Sequence, residues 1–234
     1  MGKSKELSKL GSADAATLQQ LGDVMSFGDS DRLTYGRAGS DTDFKLDIDS
    51  SVASAAEIEF RRDGVEQGSI EYITNNTLAD SYLRVKAGSI YGLKLDASGR
   101  VTLPYQPAFR AWRDSTSWTV ASTFVFDQTE YNVGGHYSTS TGRFTAPVTG
   151  IYHFDFYTIE YGNINNGYIR FWVNNARPKG GDVHFTTNEG SYWDYVGWHG
   201  DYKLNAGDYV EFITAQSHSY HGRNWSSFSG HLVG

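Results

Sequence analysis

Alternation of apolar and polar positions is densest between Phe126 and Phe156. At the end of this stretch Tyr152, Phe154 and Phe156 alternate with polar residues. Successive side chains of a β-strand point to opposite faces, so the three rings share one face. Glycine pairs and a Pro-Val-Thr-Gly turn punctuate the stretch. The pattern predicts the middle of an all-β sandwich.

The same alternation continues over residues 107–234, which we predict to form one domain. Hairpin signals such as Gly134-Gly135 separate apolar segments, and about ten antiparallel strands are enough for a two-sheet jelly roll. Pro104 and Pro107 prevent ladder continuity just before this domain, which places its boundary at 106/107. The predicted strand cores lie at 109–111, 124–126, 144, 152–156, 169–173, 183–185, 195–196, 209–212 and 228–232.

Residues 26–106 show a weaker form of the pattern. Short alternating segments such as 58–60 and 83–85 recur between turn signals such as Asp63-Gly64. Each segment offers only two or three apolar side chains, too few for a core built by one chain. Three copies around an axis would bury them, so we predict an intertwined, trimeric β-stalk of short strands. A small independent β-domain is the alternative.

Residues 1–25 are the one helix candidate of the sequence. Leu18, Leu21 and Val24 fall close together on one helical face. Short isolated helices are marginal in water, so a frayed terminus is the alternative. We predict a helical or flexible attachment segment over 1–25.

The composition agrees with an all-β chain that is neither a nucleic-acid nor a membrane protein. With 26 Gly, 16 Tyr, 13 Phe and 6 Trp, the sequence is rich in turn and strand formers. A net charge of −7 argues against a nucleic-acid groove. No apolar run approaches the about 18 residues of a membrane helix, and the first ten residues lack the apolar region of a secretory signal. The absence of cysteine excludes a disulfide framework.

Spaced aromatic and glycine positions in 107–234 resemble a known family. Asn132, Tyr137, Phe144 and Gly150 follow Phe126 at spacings similar to the signature of the C1q-like domain, a tumour-necrosis-factor-like jelly roll. Segments 107–109, 204–210 (LNAGDYV) and 228–232 (FSGHL) resemble its first strand, its Gly-Asp turn and its closing strand. The resemblance implies a homotrimer. We expect its threefold axis to be lined by rings from among Tyr137, Tyr152, Phe154 and Phe228.

Two earlier segments resemble bacteriophage fibre proteins. Residues 96–104 (DASGRVTLP) are similar to the linker before C1q-like tips in phage fibres, and 27–33 (FGDSDRL) to β-stalk segments of marine-phage fibres. The resemblance implies a non-enzymatic, homotrimeric virion fibre (tail fibre, head fibre or decoration) attached to other virion proteins through its N-terminal segment. A secreted C1q-like ligand or lectin of a cell, and a fibre-borne polysaccharide depolymerase, are the alternatives.

Counting of strand directions from Pro107 places one set of loops at the end far from the stalk. These distal loops, at 113–119, 161–167, 187–192 and 217–225, combine aromatic, amide, His and Arg side chains. Aromatic faces stack on sugar rings or apolar patches, and amides form adaptable hydrogen bonds. We expect this tip to bind a host-surface glycan or an outer-membrane protein; ordinary exposed loops are the alternative. The candidate receptor-binding residues are Trp118, Tyr161, Asn163, Asn165, Tyr192, His218, Tyr220, His221, Arg223 and Trp225.

Signals for metal or catalytic chemistry are weak. His218 and His221 have a His-x-x-His spacing but no neighbouring acidic or cysteine ligand, so zinc is not indicated. Neither a Gly-x-Ser-x-Gly elbow nor a Walker-type loop occurs. We expect no catalytic residue, no metal and no cofactor. Calcium would find oxygen ligands, without a calcium-loop spacing, at Asp182, Asp194, Asp201 and Asp208.

Overall fold

The first strands form one antiparallel meander. The computed structural model describes residues 55–74, 78–160, 167–186 and 193–234. Asp63 and Gly64 join the first hairpin with φ of 51° and 77°, as a two-residue type I′ turn requires. The strands pair in chain order: β1 (Ala55–Arg62), β2 (Val65–Ile73), β3 (Tyr82–Ala87), β4 (Ile90–Asp96) and β5 (Val101–Thr102).

This meander confirms the predicted short strands and corrects their arrangement. Two residues separate β1 from β2, and two separate β3 from β4, so each strand pairs with its neighbour in the same chain. Such short connections suit antiparallel hairpins. The ladder hydrogen bonds of β1–β5 therefore form within one chain, and the association of three copies into a stalk stays a prediction. The predicted strand at 44–48 lies outside the described residues.

Residues 108–232 contribute two further sheets, and both are antiparallel. The seven-stranded sheet contains β6 (Ala108–Trp112), β7 (Ser117–Val120), β8 (Gln128–Val133), β11 (Gly150–Glu160), β14 (Asp194–Leu204), β16 (His218–His221) and β17 (Ser227–Leu232). The five-stranded sheet contains β9 (Tyr137–Ser138), β10 (Arg143–Thr145), β12 (Gly167–Val173), β13 (Asp182–Phe185) and β15 (Tyr209–Thr214). We call this two-sheet jelly roll the knob.

Aromatic rings fill the space between the two knob sheets. Along β11, Tyr152, Phe154 and Phe156 are buried while the residues between them face outward, as the alternation predicts. Phe156 stacks on Phe212 of the opposite sheet, with ring centroids 4.3 Å apart. The rings of Phe212 and Phe228 meet edge-on at 5.1 Å. Burial of these rings is the main stabilising contribution of the knob.

Two details of the predicted knob are corrected. The described residues of the knob form twelve strands rather than ten, because a 3₁₀ turn at Arg223–Trp225 divides the last strand and β9 is a two-residue strand. The rings expected at a threefold axis all point into the core instead, because each occupies a core-facing position in the alternation of its strand. These rings belong to Tyr137, Tyr152, Phe154 and Phe228.

Helical structure is minor in the part of the chain that the structure describes. It consists of 3₁₀ turns at Leu78–Asp80 and Arg223–Trp225, and no described helix is long and apolar enough to cross a membrane. The helix predicted for 1–25 lies outside the described residues. The domain boundaries at 25/26 and 106/107 stay predictions.

Candidate functional site

The knob has a proximal end, where the chain enters it, and an opposite, distal end. The Leu232 N–H donates to the Pro107 carbonyl at the proximal end (3.0 Å). β11 starts near that end and reaches Glu160 at the distal end, opposite Asp194. β6 ends there and β17 begins there, which makes the segments 113–116 and 222–226 distal. Sequence counting assigned both segments to this end.

Three ring side chains form a cluster at the distal end, which we call the distal aromatic cluster. Trp193 stacks on His221, with centroids 4.3 Å apart and planes 4° from parallel. Trp225 meets Trp193 edge-on at 5.1 Å. His221 is buried beneath them, whereas Trp193 is 54% exposed and Trp225 is 42% exposed. The cluster therefore offers solvent two indole rings on a rigid base.

Strand order brings the cluster together. His221 ends β16 and pairs with Ile159 of β11, while Trp193 immediately precedes β14 on the other side of β11. Sequence reasoning missed Trp193, because it lies between the predicted loop at 187–192 and the predicted strand at 195–196. The signal that could have identified Trp193 was its position directly before a strand that starts at the distal end.

Two carboxylates lie side by side beneath the distal end. Glu160 is directly opposite Asp194 on β14 and opposite Tyr220 on β16. Glu160 is buried, and its Oε2 has no hydrogen-bond partner among the described residues. Burial raises the pKa of Glu160 to about 7, and the negative charge of Asp194 adds to the effect. Burial also raises the pKa of Tyr220.

The raised pKa of Glu160 predicts a pH-dependent free energy of unfolding. The folded state keeps the Glu160 proton up to about pH 7, whereas the unfolded chain releases it near the ordinary glutamate pKa of 4.5. The contribution of Glu160 to the free energy of unfolding is therefore complete below about pH 4.5 and is lost as pH rises to about 7. Relative to Glu160→Gln, the wild type should lose about 1–3 kcal/mol between pH 4.5 and 8, measured by urea unfolding.

A second substitution separates burial from charge in this pH effect. Asp194→Asn removes the neighbouring negative charge, so it should lower the pKa of Glu160 and reduce the pH dependence only in part. Equal pH dependence in wild type and Glu160→Gln would contradict the assignment.

Two predicted receptor-binding residues belong to the core. Tyr220 is 0% exposed, and its ring lies 4.9 Å from that of Phe124. Trp118 pairs with Tyr220 across β7 and β16, and its half-buried ring packs 5.4 Å from Phe126. The predicted loop at 217–225 is in part the strand β16, and strand alternation turns Tyr220 inward. The structure thus removes Tyr220 from the exposed surface.

The other described candidates keep distal positions. Arg223 and Trp225 are exposed in the 3₁₀ turn, and the Arg223 Nε–H donates to the Asp114 carbonyl (2.8 Å). His218 is half-buried, and its Nε2 lies 3.1 Å from Gln216 Oε1. The remaining candidates, Tyr161, Asn163, Asn165 and Tyr192, lie outside the described residues.

A shallow polar depression lies near Arg223 and the distal end. It has a volume of about 380 Å³, and Trp112, Tyr157 and Asn224 contribute to its wall together with Arg223. Guanidinium and amide groups here can donate hydrogen bonds to a ligand. The distal end thus combines apolar ring faces with nearby polar donors.

The arrangement does not favour a metal ion at the predicted positions. His218 and His221 are three residues apart on β16, so they face opposite sides of the strand. Among the described residues, one acidic group has ligand atoms within 4.8 Å of one another: Glu57, Glu66 and Glu71. Arg84 and Lys86 already form ion pairs with this group. The aspartates named for calcium are spread over β13, β14 and the turn after β14, at Asp182, Asp194, Asp201 and Asp208.

Two antiparallel sheets in jelly-roll order, with an exposed aromatic end, define an all-β jelly-roll domain. The chain belongs to the C1q domain family, since residues 108–233, over half of the chain, match that domain. C1q-like and tumour-necrosis-factor-like domains are non-enzymatic ligand-binding domains that commonly form homotrimers.

Two relatives and one solved structure are similar to parts of this chain. One of the subunits of the mouse complement C1q subcomponent is 37% identical over 67 residues, covering 28% of this chain and 27% of that protein. Mouse complement C1q tumor necrosis factor-related protein 3 is 29% identical over 114 residues, covering 48% of this chain and 45% of that protein. The globular domain of zebrafish complement 1qA protein covers 55% of this chain and 98% of that structure, with 19% identity and a TM-score of 0.41. The chain spans less than half the length of the two mouse relatives.

Proposed function

We propose that this chain is a homotrimeric, non-enzymatic recognition protein whose knob binds a cell-surface ligand at its distal end. The observation that carries the proposal is the distal aromatic cluster, with Trp193 and Trp225 exposed above the buried ring of His221. Large exposed indoles at one end of a rigid sandwich are suited to stacking on sugar rings or apolar patches. Arg223 and Asn224 lie nearby and add hydrogen-bond donors.

The outer face of the seven-stranded sheet is suited to trimer contact. It carries the exposed apolar side chains of Ile151, Tyr195 and Val233 beside polar residues. Tyr157 and Tyr195 stack on this face with centroids 6.2 Å apart, so neighbouring copies would meet a preformed aromatic surface. Association of three copies would present three distal clusters together, and avidity would raise the affinity beyond that of one site.

We propose further that the protein is a virion fibre that attaches to a host-surface glycan or an outer-membrane protein. The meander β1–β5 just before the knob supports this setting, since it is a short-stranded sheet where a stalk would lie. In this setting residues 1–25 contact other virion proteins. A secreted C1q-like ligand has about equal support, because the mouse relatives are complement-related proteins. Immunogold labelling separates the two: gold on virions supports the fibre, and protein recovered only from culture medium contradicts it.

Binding is tested with the double variant Trp193→Ala/Trp225→Ala in the full chain. Fluorescently labelled protein is applied to a panel of bacterial cells and to a glycan array. Each aromatic stacking contact is worth about 0.5–1.5 kcal/mol beyond its buried area, so two losses should weaken binding about tenfold or more. The matched control is Tyr209→Ala, which removes a half-buried ring on the five-stranded sheet, far from the distal end, and should bind like the wild type. Unchanged binding by the double variant, with its mass in solution preserved, would overturn the recognition site.

A further inference from the structure

The meander β1–β5 has one apolar and one charged face. Register places Ile58 opposite Ile70, Ile70 opposite Val85, and Val85 opposite Leu93. These four side chains therefore form a row across four strands on one face. A second row on the same face contains Tyr72, Leu83, Leu95 and Val101. We call this side of the sheet the apolar stalk face.

The apolar stalk face is open in the described chain. Ile70 and Val85 are each 38% exposed although both lie on internal strands of the sheet. Phe60 and Val101 are exposed as well. A sheet with one apolar face is stable in water when a second layer covers that face. The described residues supply no such layer, so the covering layer comes from elsewhere.

The charged face is not left open, because its central charges are paired within the chain. Glu71 Oε2 accepts from Arg84 Nε at 2.6 Å, and Lys86 Nζ lies 2.6 Å from Glu66 Oε1. The Arg84 guanidinium also lies 3.8 Å from the ring centre of Tyr91. A face with its ion pairs satisfied is suited to solvent. The two faces therefore differ: paired side chains cover the charged face, where Glu71 is 4% exposed, whereas none of the described residues covers the apolar stalk face.

From this asymmetry we infer that the apolar stalk face packs against the same face of two further copies, as a three-sided prism around the trimer axis. The inference rests on the proposed homotrimer. Only residues 103–107 connect β5 to β6, so three associated knobs would hold three meanders at high effective concentration. Three identical faces around an axis bury one another and close the assembly.

The surface also continues from the meander onto the knob. A groove of about 540 Å³ at the junction is lined by Leu103, Tyr105, Val148, Leu232 and Val233 among others. Val233 also belongs to the outer sheet face proposed for trimer contact. A continuous apolar surface from stalk to knob fits one symmetric partner better than two unrelated ones. The axis of the prism and the axis of the knob trimer would then coincide.

Cross-linking tests the inference cleanly, because the chain contains no cysteine. In full-chain Val85→Cys, the single thiol lies on the central strand β3, which is closest to the axis in the prism. A short bismaleimide should therefore shift chains from one chain mass to two on a denaturing gel. The matched control, Thr102→Cys, places the thiol on the charged face, opposite Lys94, and should stay at one chain mass. No link can form within a chain that has one thiol.

Each other outcome has a defined meaning when the mass in solution is measured alongside. A trimer whose Val85→Cys thiol reacts with single maleimides but does not cross-link would overturn the prism and leave the homotrimer intact. A trimer whose thiol is protected without cross-linking would show that another segment, such as residues 1–54, covers the face, and would also overturn it. A monomeric mass for the unmodified chain would contradict the proposed homotrimer itself.

Discussion

Replacing Phe212 with alanine should lower the free energy of unfolding of the knob by about 3–5 kcal/mol. Phe212 is fully buried, and its ring packs against four others from both sheets. Truncation would remove the transfer free energy of the ring and leave a cavity that rigid aromatic neighbours cannot fill. The neighbouring rings are those of Phe156, Phe171, Trp198 and Phe228, at 4.3–5.4 Å.

Urea unfolding followed by tryptophan fluorescence, at one fixed protein concentration, measures this loss. Phe185→Ala is the matched control, because it makes the same chemical change on the edge strand β13, where the ring is only half-buried. Phe185→Ala should lower the free energy of unfolding clearly less than Phe212→Ala does. Equal losses for the two variants would mean that the core does not centre on the rings around Phe212.

Gly142→Ala should destabilise the knob by about 2–5 kcal/mol, for two separate reasons. Gly142 has a φ of 74°, a left-handed conformation that costs a residue with a Cβ about 1–2 kcal/mol. An added Cβ would also overlap the carbonyl oxygen of Phe124, which is backbone and cannot rotate away. Overpacking of this kind costs about 1–3 kcal/mol.

Gly135→Ala measures the cost of the left-handed backbone conformation alone. Gly135 has a φ of 73°, but nothing lies within 4 Å of an added Cβ, so only the backbone cost of about 1–2 kcal/mol applies. The difference in unfolding midpoint between the two variants measures the clash at Phe124. If both glycine variants lost the same stability, the close approach of Gly142 to Phe124 would be excluded.

Strand positions were predictable because they follow from local patterning. The rings of Tyr152, Phe154 and Phe156 lie on the core face that their alternation assigned to them. The turn at Asp63-Gly64 adopts the left-handed angles that its residues favour. The alternation of apolar and polar residues is a property of a few consecutive residues, so it can be recognised in the sequence without knowledge of the fold.

The candidate site was predictable only in part, because it depends on which strands become neighbours. Trp225 was identified from its loop position, whereas Trp193 was missed and Tyr220 was placed at the surface. Tyr220 is buried because β16 pairs with β11 and β7, two strands that are far from it in sequence. The pattern of neighbouring residues in the sequence does not predict pairing between strands so far apart.

The sequence by itself determined that this is an all-β chain with an aromatic knob of the C1q type, because turn chemistry, strand alternation and spaced family positions are local or fixed along the chain. Only the tertiary structure decided which rings face solvent and which face of the meander is left open. Those outcomes depend on long-range strand pairing, which sets the partner on each side of a strand and hence the burial of every side chain on it. The distal aromatic cluster and the apolar stalk face are both products of that pairing.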